Sequence, residues 1–251
     1  MGKTIYTQAT INDENIPTIA SVPIGANGKG PKVTIIANTH RTAIRVAEVS
    51  KRDKWLTQAT QWRLVEENFP IGPLLNADTH IFDGSLFENE KKKQCFMMVA
   101  LPKTIADSIA ELGMKEWGSA HKLTRLDVIE HILFRYYVQT AGDTLHEEDE
   151  PAKETMPLWV IFAQDTGYRL LLLDDGLPVS AHYLSMHDDT KEMEVDMVWG
   201  IAAPNRVIYS TIVFGEDEAP STSCDAWLYE YIKNKGIEME SETVYLHSNT
   251  K

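Results

Sequence analysis

Three consecutive residues, Asp165, Thr166 and Gly167, combine groups that a phosphate or metal site uses. A carboxylate can hold a divalent cation, and a glycine lets backbone N–H groups come close to phosphate oxygens. Asp and Gly are also the usual residues of a tight turn between strands. The sequence favours the turn interpretation and leaves a residual nucleotide site at these positions as the alternative.

Other chemically active combinations are weaker. His182, His187 and the pair Asp188 and Asp189 are close in the sequence but lack the regular spacing of metal ligands. No G-x-S-x-G motif marks a nucleophilic serine. The glycine-rich segment 25–30 contains a lysine, but the Ser or Thr and the helix of a phosphate-binding loop do not follow it. We therefore predict no catalytic residue, no metal and no cofactor.

Charge argues against nucleic acid as a partner. The 251-residue chain has a formal net charge of -13, whereas a duplex-binding protein needs a basic face to displace counterions from phosphates. The dense basic cluster, Lys91 to Lys93, follows acidic residues and predicts a solvated hairpin tip. Nucleic acid binding is therefore not expected.

Composition indicates a globular protein of a reducing compartment. Apolar residues make up 43% and charged residues 24% of the chain, which excludes wholesale disorder. Cys95 and Cys224 are far apart and lack CxxC spacing, as expected for two buried thiols. No apolar run reaches the roughly 18 residues of a transmembrane helix, so no membrane span is predicted.

The first half of the chain is harder to interpret than the second. Residues 1–31 predict an arm, in which residues 18–22 form a short edge strand. A pair of strands is predicted next, followed by a helix and then a hairpin with its own following helix. The predicted ranges are 33–38 and 43–49 for the strand pair, 55–69 for the helix, 79–83 and 94–100 for the hairpin, and 102–113 for the next helix, with Gly113 as its stop. A strand near 120–124 and a helix over 126–140 complete this half.

An acidic segment divides the chain. Residues 142–156 contain six acidic side chains and little apolar content, so they predict a solvated linker. After it, short connections predict an antiparallel meander of three strands, then alternating helices and strands. The ranges are 158–163, 168–174 and 179–184 for the meander, 190–199 and 223–235 for the helices, and 206–214 and 238–246 for the last strands.

The resulting order, β-β-β-α-β-α-β, resembles one lobe of the ribonuclease-H-like or actin-like fold. Over residues 33–246 the chain resembles the cytoplasmic domains of the type IV pilus protein PilM and of the type II secretion L subunit, GspL. The segments that carry this resemblance are 55–69, 97–103, 126–130, 159–170 and 175–179. It implies an α/β protein of two ribonuclease-H-like (actin-like) lobes with mixed sheets. The expected units are an arm (1–31), a first lobe (32–141), the linker (142–156) and a second lobe (157–251).

The resemblance also implies a function. PilM-like proteins bind ATP between two hairpin turns, one in each lobe, that carry an acid and small residues. Here the second-lobe turn keeps Asp165 and Gly167, but the first-lobe turn, residues 38–42, has neither group and contains the bulky His40 and Arg41. The resemblance therefore implies a non-catalytic cytoplasmic scaffold at the inner face of the bacterial inner membrane, in a type IV pilus or type II secretion assembly.

Its partners would be protein subunits of the inner-membrane platform. A sheet edge is expected to accept a partner segment by β-augmentation, or residues 18–22 to be donated as a strand. Two alternatives stay open. The first is an actin-like ATP-binding protein with an eroded phosphate site, and the second is an enzyme of unrecognised α/β type.

Overall fold

The computed structural model describes residues 4–11, 17–19, 32–49, 63, 67, 78–89, 91–117, 122–143, 157–164, 166–214 and 224–246. The elements within these ranges are, in chain order, β1 (Thr4–Ile11), β2 (Pro17–Ile19), β3 (Lys32–Asn38), β4 (Ala43–Glu48), β5 (His80–Glu88), β6 (Gln94–Pro102), α1 (Lys103–Trp117), β7 (Lys122–Val128), α2 (Ile129–Asp143), β8 (Leu158–Ala163), β9 (Tyr168–Asp174), β10 (Leu177–Leu184), α3 (Lys191–Ile201), β11 (Arg206–Phe214), α4 (Ala226–Asn234) and β12 (Met239–Leu246). No helix in these ranges is long and apolar enough to cross a membrane.

The second half forms one mixed sheet with the order β10-β9-β8-β11-β12. Strands β8, β9 and β10 are antiparallel neighbours, because short turns connect them. Strand β11 runs parallel to both β8 and β12. Helix α3 lies between β10 and β11 in the chain and α4 lies between β11 and β12, as parallel crossovers require. The predicted meander and the predicted order of strands and helices are confirmed.

The first half forms two sheets, and this corrects the predicted strand pair. Strands β3 and β4 do not pair with each other. In the sheet β2-β1-β3-β7, strand β3 lies parallel to β1 and to β7. In the sheet β4-β6-β5, strand β4 pairs with β6, and β5 and β6 form the predicted hairpin. Every residue from Val33 to Asn38 is buried, as is typical of a central parallel strand.

The predicted N-terminal arm contains a strand of the first sheet. Strand β1 lies inside it and pairs with β3, and β2 adds an antiparallel edge strand. Thr18 and Ile19 pair with β1 along one edge of β2, and residues 20–22 lie outside the described residues, so the donation of segment 18–22 to a partner stays a prediction. The alternation of small polar and apolar residues in β1 was too short to stand out in the sequence. The rest of the arm lies outside the described residues.

Two helix boundaries also differ from the predictions. Gly113 does not stop α1, which runs on to Trp117 with Gly113 buried inside it. A glycine costs a helix roughly 1 kcal/mol, which the burial of Ile105 and Ile109 on the same helix outweighs. Leu126, predicted in a helix, lies in β7, and α2 begins at Ile129.

Two predicted segments fall largely outside the described residues. Of the predicted helix over 55–69, Arg63 and Glu67 are described; both are helical, and 3.7 Å separates Arg63 Nε from Glu67 Oε1. Of the predicted linker over 142–156, the first two residues continue α2. The linker itself stays a prediction.

Helix α2 lies between the two halves and joins their cores. Leu133 and Phe134 are fully buried on it and pack in one apolar cluster with side chains of both halves. The buried members of this cluster are Ile36, Ile44, Phe87, Cys95, Met97, Val99, Val128, Ile129, Leu133, Phe134, Tyr137, Val160, Phe162, Leu171, Leu173, Leu177, Ile208 and Val244. The apolar contact between the halves is therefore continuous with each half's own core.

A second contact between the halves uses the basic hairpin tip. Lys91 Nζ lies 2.7 Å from Asp175 Oδ1, and Lys93 Nζ lies 2.5 Å from Asp175 Oδ2. Asn89 Nδ2 also donates to the backbone oxygen of Asp175 at 2.8 Å. We call this group of four residues the tip clamp. The lysines are exposed, as predicted for a solvated tip, yet two of them hold the β9–β10 turn.

The tip clamp gives a salt-dependent prediction. Asp175→Asn should lower the melting temperature in dilute buffer, because it removes the charge that two lysines contact. Asparagine tolerates the positive φ of 51° at this position. The difference from wild type should largely disappear in 1 M NaCl, where the Debye length is about 3 Å.

Differential scanning fluorimetry at both salt concentrations measures the effect of Asp175→Asn. The neighbouring exposed residue supplies the control, since Asp174→Asn should change the melting temperature little. If Asp175→Asn lowers the melting temperature equally at both salt concentrations, the substitution has disturbed the geometry of the turn and the ion pairs do not explain the effect.

Candidate functional site at the junction of the two halves

The two turns that the sequence analysis singled out lie against each other. Residues 38–42 connect β3 to β4, and residues 164–167 connect β8 to β9. Asp165 lies outside the described residues. The Thr166 hydroxyl lies 2.6 Å from the Tyr183 hydroxyl and 3.4 Å from His40 Nδ1. Thr166 thus touches both halves, although its own side chain is exposed.

Gly167 is required by packing within its own half. A Cβ at this position would lie 2.3 Å from the backbone oxygen of Leu184 and 3.0 Å from the Tyr183 hydroxyl. The backbone N–H of Gln164 donates to the Gly167 oxygen at 2.9 Å and closes the turn. A side chain at Gly167 would therefore collide with β10. This supports the interpretation of Gly167 as a turn residue.

Arg169, two residues further on, bonds the turns together. It is 4% exposed although its side chain carries a full positive charge. Its Nη2 donates to the backbone oxygens of His40 and Thr42, at 3.2 and 3.0 Å. Its Nε donates to Glu130 Oε1 at 2.9 Å. One guanidinium from the second half therefore binds the first-half turn and the first turn of α2.

Glu130 is the anionic partner, and no part of it is exposed. Burial raises the pKa of its carboxyl, and the nearby Arg169 charge opposes that rise. Gln164 Nε2 lies 3.4 Å from Glu130 Oε1 and 3.3 Å from the backbone oxygen of Thr39. We call Arg169, Glu130, Gln164 and the first-half turn the junction lock.

The buried side-chain atoms of the junction lock that lack a hydrogen-bond partner are all acceptors. Asn38 Oδ1, Glu130 Oε2 and Gln164 Oε1 are buried and have no hydrogen-bond partner among the described residues. A phosphate group also presents acceptor oxygens and needs donors or cations around it. Arg169 already donates to three oxygens of the protein. The junction lock is thus suited to hold the halves together and poorly suited to hold phosphate.

Comparisons with solved structures show which known fold this architecture matches. No family model matches the chain, and no curated protein matches it. A Bacteroides thetaiotaomicron VPI-5482 protein with an actin-like ATPase fold and unknown function superposes with a TM-score of 0.53 at 9% identity, over 96% of this chain and 91% of the other. The chain has an actin-like ATPase fold.

Two further solved structures are similar to this chain. The PilM–PilN complex of type IV pilus biogenesis superposes with a TM-score of 0.53 at 11% identity, over 96% of this chain and 87% of that one. The cytoplasmic domain of EpsL, an inner-membrane component of the Vibrio cholerae type II secretion system, has a TM-score of 0.45 at 9% identity, over 97% and 90%. The resemblance to PilM that the sequence indicated is thus present in the fold.

The residues that define the junction lock were not among the predicted site residues. Asp165, Thr166 and Gly167 were predicted, whereas Arg169 and Glu130 were not. A signal for both was present, since each is a charged residue within a run of apolar ones. A charge in a buried segment requires a partner of opposite charge. Sequence alone did not pair them, because 39 positions separate them.

The actin-like fold carries a second candidate site, an apolar cleft of about 150 Å³ in the first half. It lies between the β5–β6 hairpin, strand β7 and the start of α2. Its lining residues are Ile81, Asp83, Gly84, Ser85, Met97, Val99, Leu101, Leu126, Asp127, Val128 and His131. The lining is therefore apolar, with carboxylates from Asp83 and Asp127.

Asp127 and His131 form a buried pair in this cleft, but the pair lacks a free nitrogen for general-base chemistry. His131 Nδ1 lies 2.8 Å from Asp127 Oδ1, which also accepts from the backbone N–H of Val128 at 2.9 Å. His131 Nε2 lies 3.1 Å from Nη2 of Arg135. Because an arginine only donates, Nε2 accepts and Nδ1–H donates to Asp127. Both ring nitrogens are thus committed to the protein.

The histidines that the sequence analysis considered as metal ligands are not brought together. His182 Nε2 lies 2.8 Å from the Ser180 hydroxyl, and burial, with help from Arg169 and Arg45, lowers the pKa of His182. His187 is exposed. Within the described ranges, no three His, Cys, Asp or Glu side chains are grouped so that they could hold a metal ion.

Proposed function

We propose that this chain is a non-catalytic scaffold of a type IV pilus or type II secretion assembly, and that it recruits other subunits by surface contact. The observation that carries the proposal is the junction lock. At the position where the resemblance implies phosphate, this chain has the buried pair of Arg169 and Glu130, surrounded by acceptor oxygens. Those contacts stabilise the fold, and the buried side-chain atoms that they leave unpaired among the described residues are acceptors, whereas phosphate needs donors or cations.

The fold neighbours support the kind of assembly. One of them is PilM in a complex with PilN, a pair that belongs to type IV pilus biogenesis. Similarity over 96% of this chain includes both halves, so the whole described chain is comparable with that neighbour. We infer a cytoplasmic position, with partners in the inner-membrane platform.

The apolar cleft is the docking site that we propose for such a partner. In the described part of the chain, β7 is the last strand of its sheet, so its outer edge has no neighbouring strand. An extended peptide can add to such an edge through its backbone while its side chains enter adjacent pockets. The exposed carboxylate of Asp83 favours a basic side chain among the apolar ones. The proposed occupant is therefore an extended apolar segment with one lysine or arginine, from an inner-membrane subunit.

Isothermal titration calorimetry tests both parts of the proposal. Synthetic peptides that tile the cytoplasmic segments of the host's pilus and secretion inner-membrane proteins are titrated into the purified chain, and Mg-ATP is titrated separately. We expect one apolar, singly basic peptide to bind. Mg-ATP is expected not to bind more tightly than about 100 μM, near -5.5 kcal/mol.

Charge reversal provides the matched control. Asp83→Lys should abolish peptide binding, whereas Glu238→Lys, an equal change at an exposed position in the second half, should leave it unchanged. If no peptide binds, or if both variants bind equally, the docking site is wrong. ATP binding with a Kd below about 100 μM, or ATP hydrolysis, would instead support the nucleotide-binding alternative.

A further inference from the structure

Helix α3 presents an apolar stripe to solvent. Met193, Met197 and Ile201 recur every four residues and are 66%, 60% and 54% exposed. Residues at this spacing lie one above another on a helix, and the stripe is about 12 Å long. Val195 and Val198, on the opposite face, are fully buried and account for the packing of α3 against its own sheet. The stripe is therefore not needed for folding.

The stripe is adjacent to a glycine that the chain itself does not require. Gly200 lies within α3, and a Cβ built there would meet nothing within 4 Å. Alanine at such a position would stabilise the helix by roughly 0.5–1 kcal/mol. The missing side chain leaves a notch beside Ile201, and a long side chain from outside can fill it.

The stripe and its notch are self-complementary. Met193 and Ile201 are each four residues from Met197, so a two-fold axis through Met197 places Met193 of one copy over Ile201 and the Gly200 notch of the other. Ridges of residues four apart pack in this way in the commonest class of helix pairs. A surface that fits a copy of itself produces a closed dimer.

The charges at the two ends of this surface fit the same arrangement. Lys191 Nζ lies 5.0 Å from the ring centre of Trp227, and Lys235 Nζ lies 5.4 Å from that of Trp199, so α3 and α4 run in the same direction. Asp189 and Glu192 are exposed at the start of this helix pair, and Lys233 and Lys235 are exposed at its end, where Glu230 lies 3.7 Å from Lys233 Nζ and Asp196 lies 3.4 Å from Lys235 Nζ. Exposed ion pairs of this kind are weak, so an antiparallel second copy can bring the acidic start of one pair beside the two lysines of the other.

We propose that two copies of this chain associate through α3, antiparallel, about an axis at Met197. This inference is independent of the proposed docking cleft, which lies in the other half. The stripe is small compared with a standard interface, which buries roughly 1,600 Å² in total, so the dimer is weak. A weak dimer suits a subunit that is held at high local concentration in an assembly.

Sedimentation velocity over a concentration series tests the proposal. Wild type should shift from monomer to dimer as concentration rises, and Met197→Glu should stay monomeric. Met114→Glu is the matched control, because Met114 is 67% exposed on α1, outside the stripe. It should dimerise like wild type. Circular dichroism melting of both variants confirms that each is folded.

Disulfide cross-linking fixes the geometry. Met197→Cys should form a covalent dimer with itself under mild oxidation. Met193→Cys should form one only when mixed with Ile201→Cys, because the axis places these residues opposite each other. A monomer at all concentrations, a dimer that survives Met197→Glu, or cross-linking of Met193→Cys with itself as efficiently as with Ile201→Cys would each overturn the proposal.

Discussion

Replacing Arg169 with methionine is expected to lower the free energy of unfolding by about 3–5 kcal/mol. The substitution leaves the fully buried Glu130 carboxylate without its cation and leaves the backbone oxygens of His40 and Thr42 without their donor. An unpaired charge in the interior is more costly than the pair it came from. Urea unfolding followed by tryptophan fluorescence measures the loss.

Two further variants separate the contribution of the buried Arg169–Glu130 pair to stability from that of an exposed ion pair. Arg206→Met removes an exposed arginine that binds Glu240 through two hydrogen bonds, and it should cost no more than about 1 kcal/mol. The double variant Arg169→Met with Glu130→Met should recover part of the loss, because neither charge then remains buried. A loss for Arg169→Met as small as that for Arg206→Met would show that the junction lock does not hold the halves together.

The loss should also depend on pH. A carboxyl whose folded pKa lies above its unfolded value binds its proton more tightly in the folded state, so stability falls as pH rises above about 4.5, the unfolded value for Glu. Burial raises the pKa of Glu130, and removing Arg169 raises it further. Arg169→Met should therefore be most destabilising at pH 8 and less so at pH 5.

Phe134→Ala is expected to lower the free energy of unfolding by about 3–5 kcal/mol. It should move the unfolding transition of the whole chain to lower urea concentration. Phe134 is fully buried on α2, in the cluster to which both halves contribute. Since the two halves share this core, they should unfold in one transition. Urea curves from near-UV and far-UV circular dichroism should coincide for wild type and for the variant.

Phe82→Ala is the matched change for Phe134→Ala. Phe82 is only partly buried and packs in a small separate cluster on the β4-β6-β5 sheet. Phe82→Ala should lower the free energy of unfolding clearly less than Phe134→Ala does, and the chain should still unfold in a single transition. Two transitions, of which Phe134→Ala moves only one, would show that the halves fold as independent units.

The second half of the fold was predictable because its first three strands each pair with a strand that is close in the sequence. Strands β8, β9 and β10 are separated by short turns with Gly and Asp, so each strand pairs with its sequence neighbour. In the first half, β3 pairs with β1 and with β7, which are distant in the sequence. A run such as Val33 to Ala37 predicts a buried strand, but nothing in it specifies which strands lie beside it.

The candidate site was only partly predictable for a related reason. Turn residues such as Gly167 are recognisable from their types alone, so the sequence could locate the turn. Whether a turn binds phosphate or protein depends on what lies opposite, and here that is decided by Arg169 and Glu130. Their pairing is a property of the assembled sheets, since the chain from α2 to β9 must fold before the two groups meet.

The junction lock and the tip clamp limit how far the two halves can rotate against each other. They fasten the halves at two separate places, and the shared apolar cluster fills the space between. Hinge closure, by which two-lobed proteins convert ligand binding into mechanical work, needs a joint that can rotate. This molecule is instead fastened at both places, so a partner that binds one half would meet the other half at a fixed orientation.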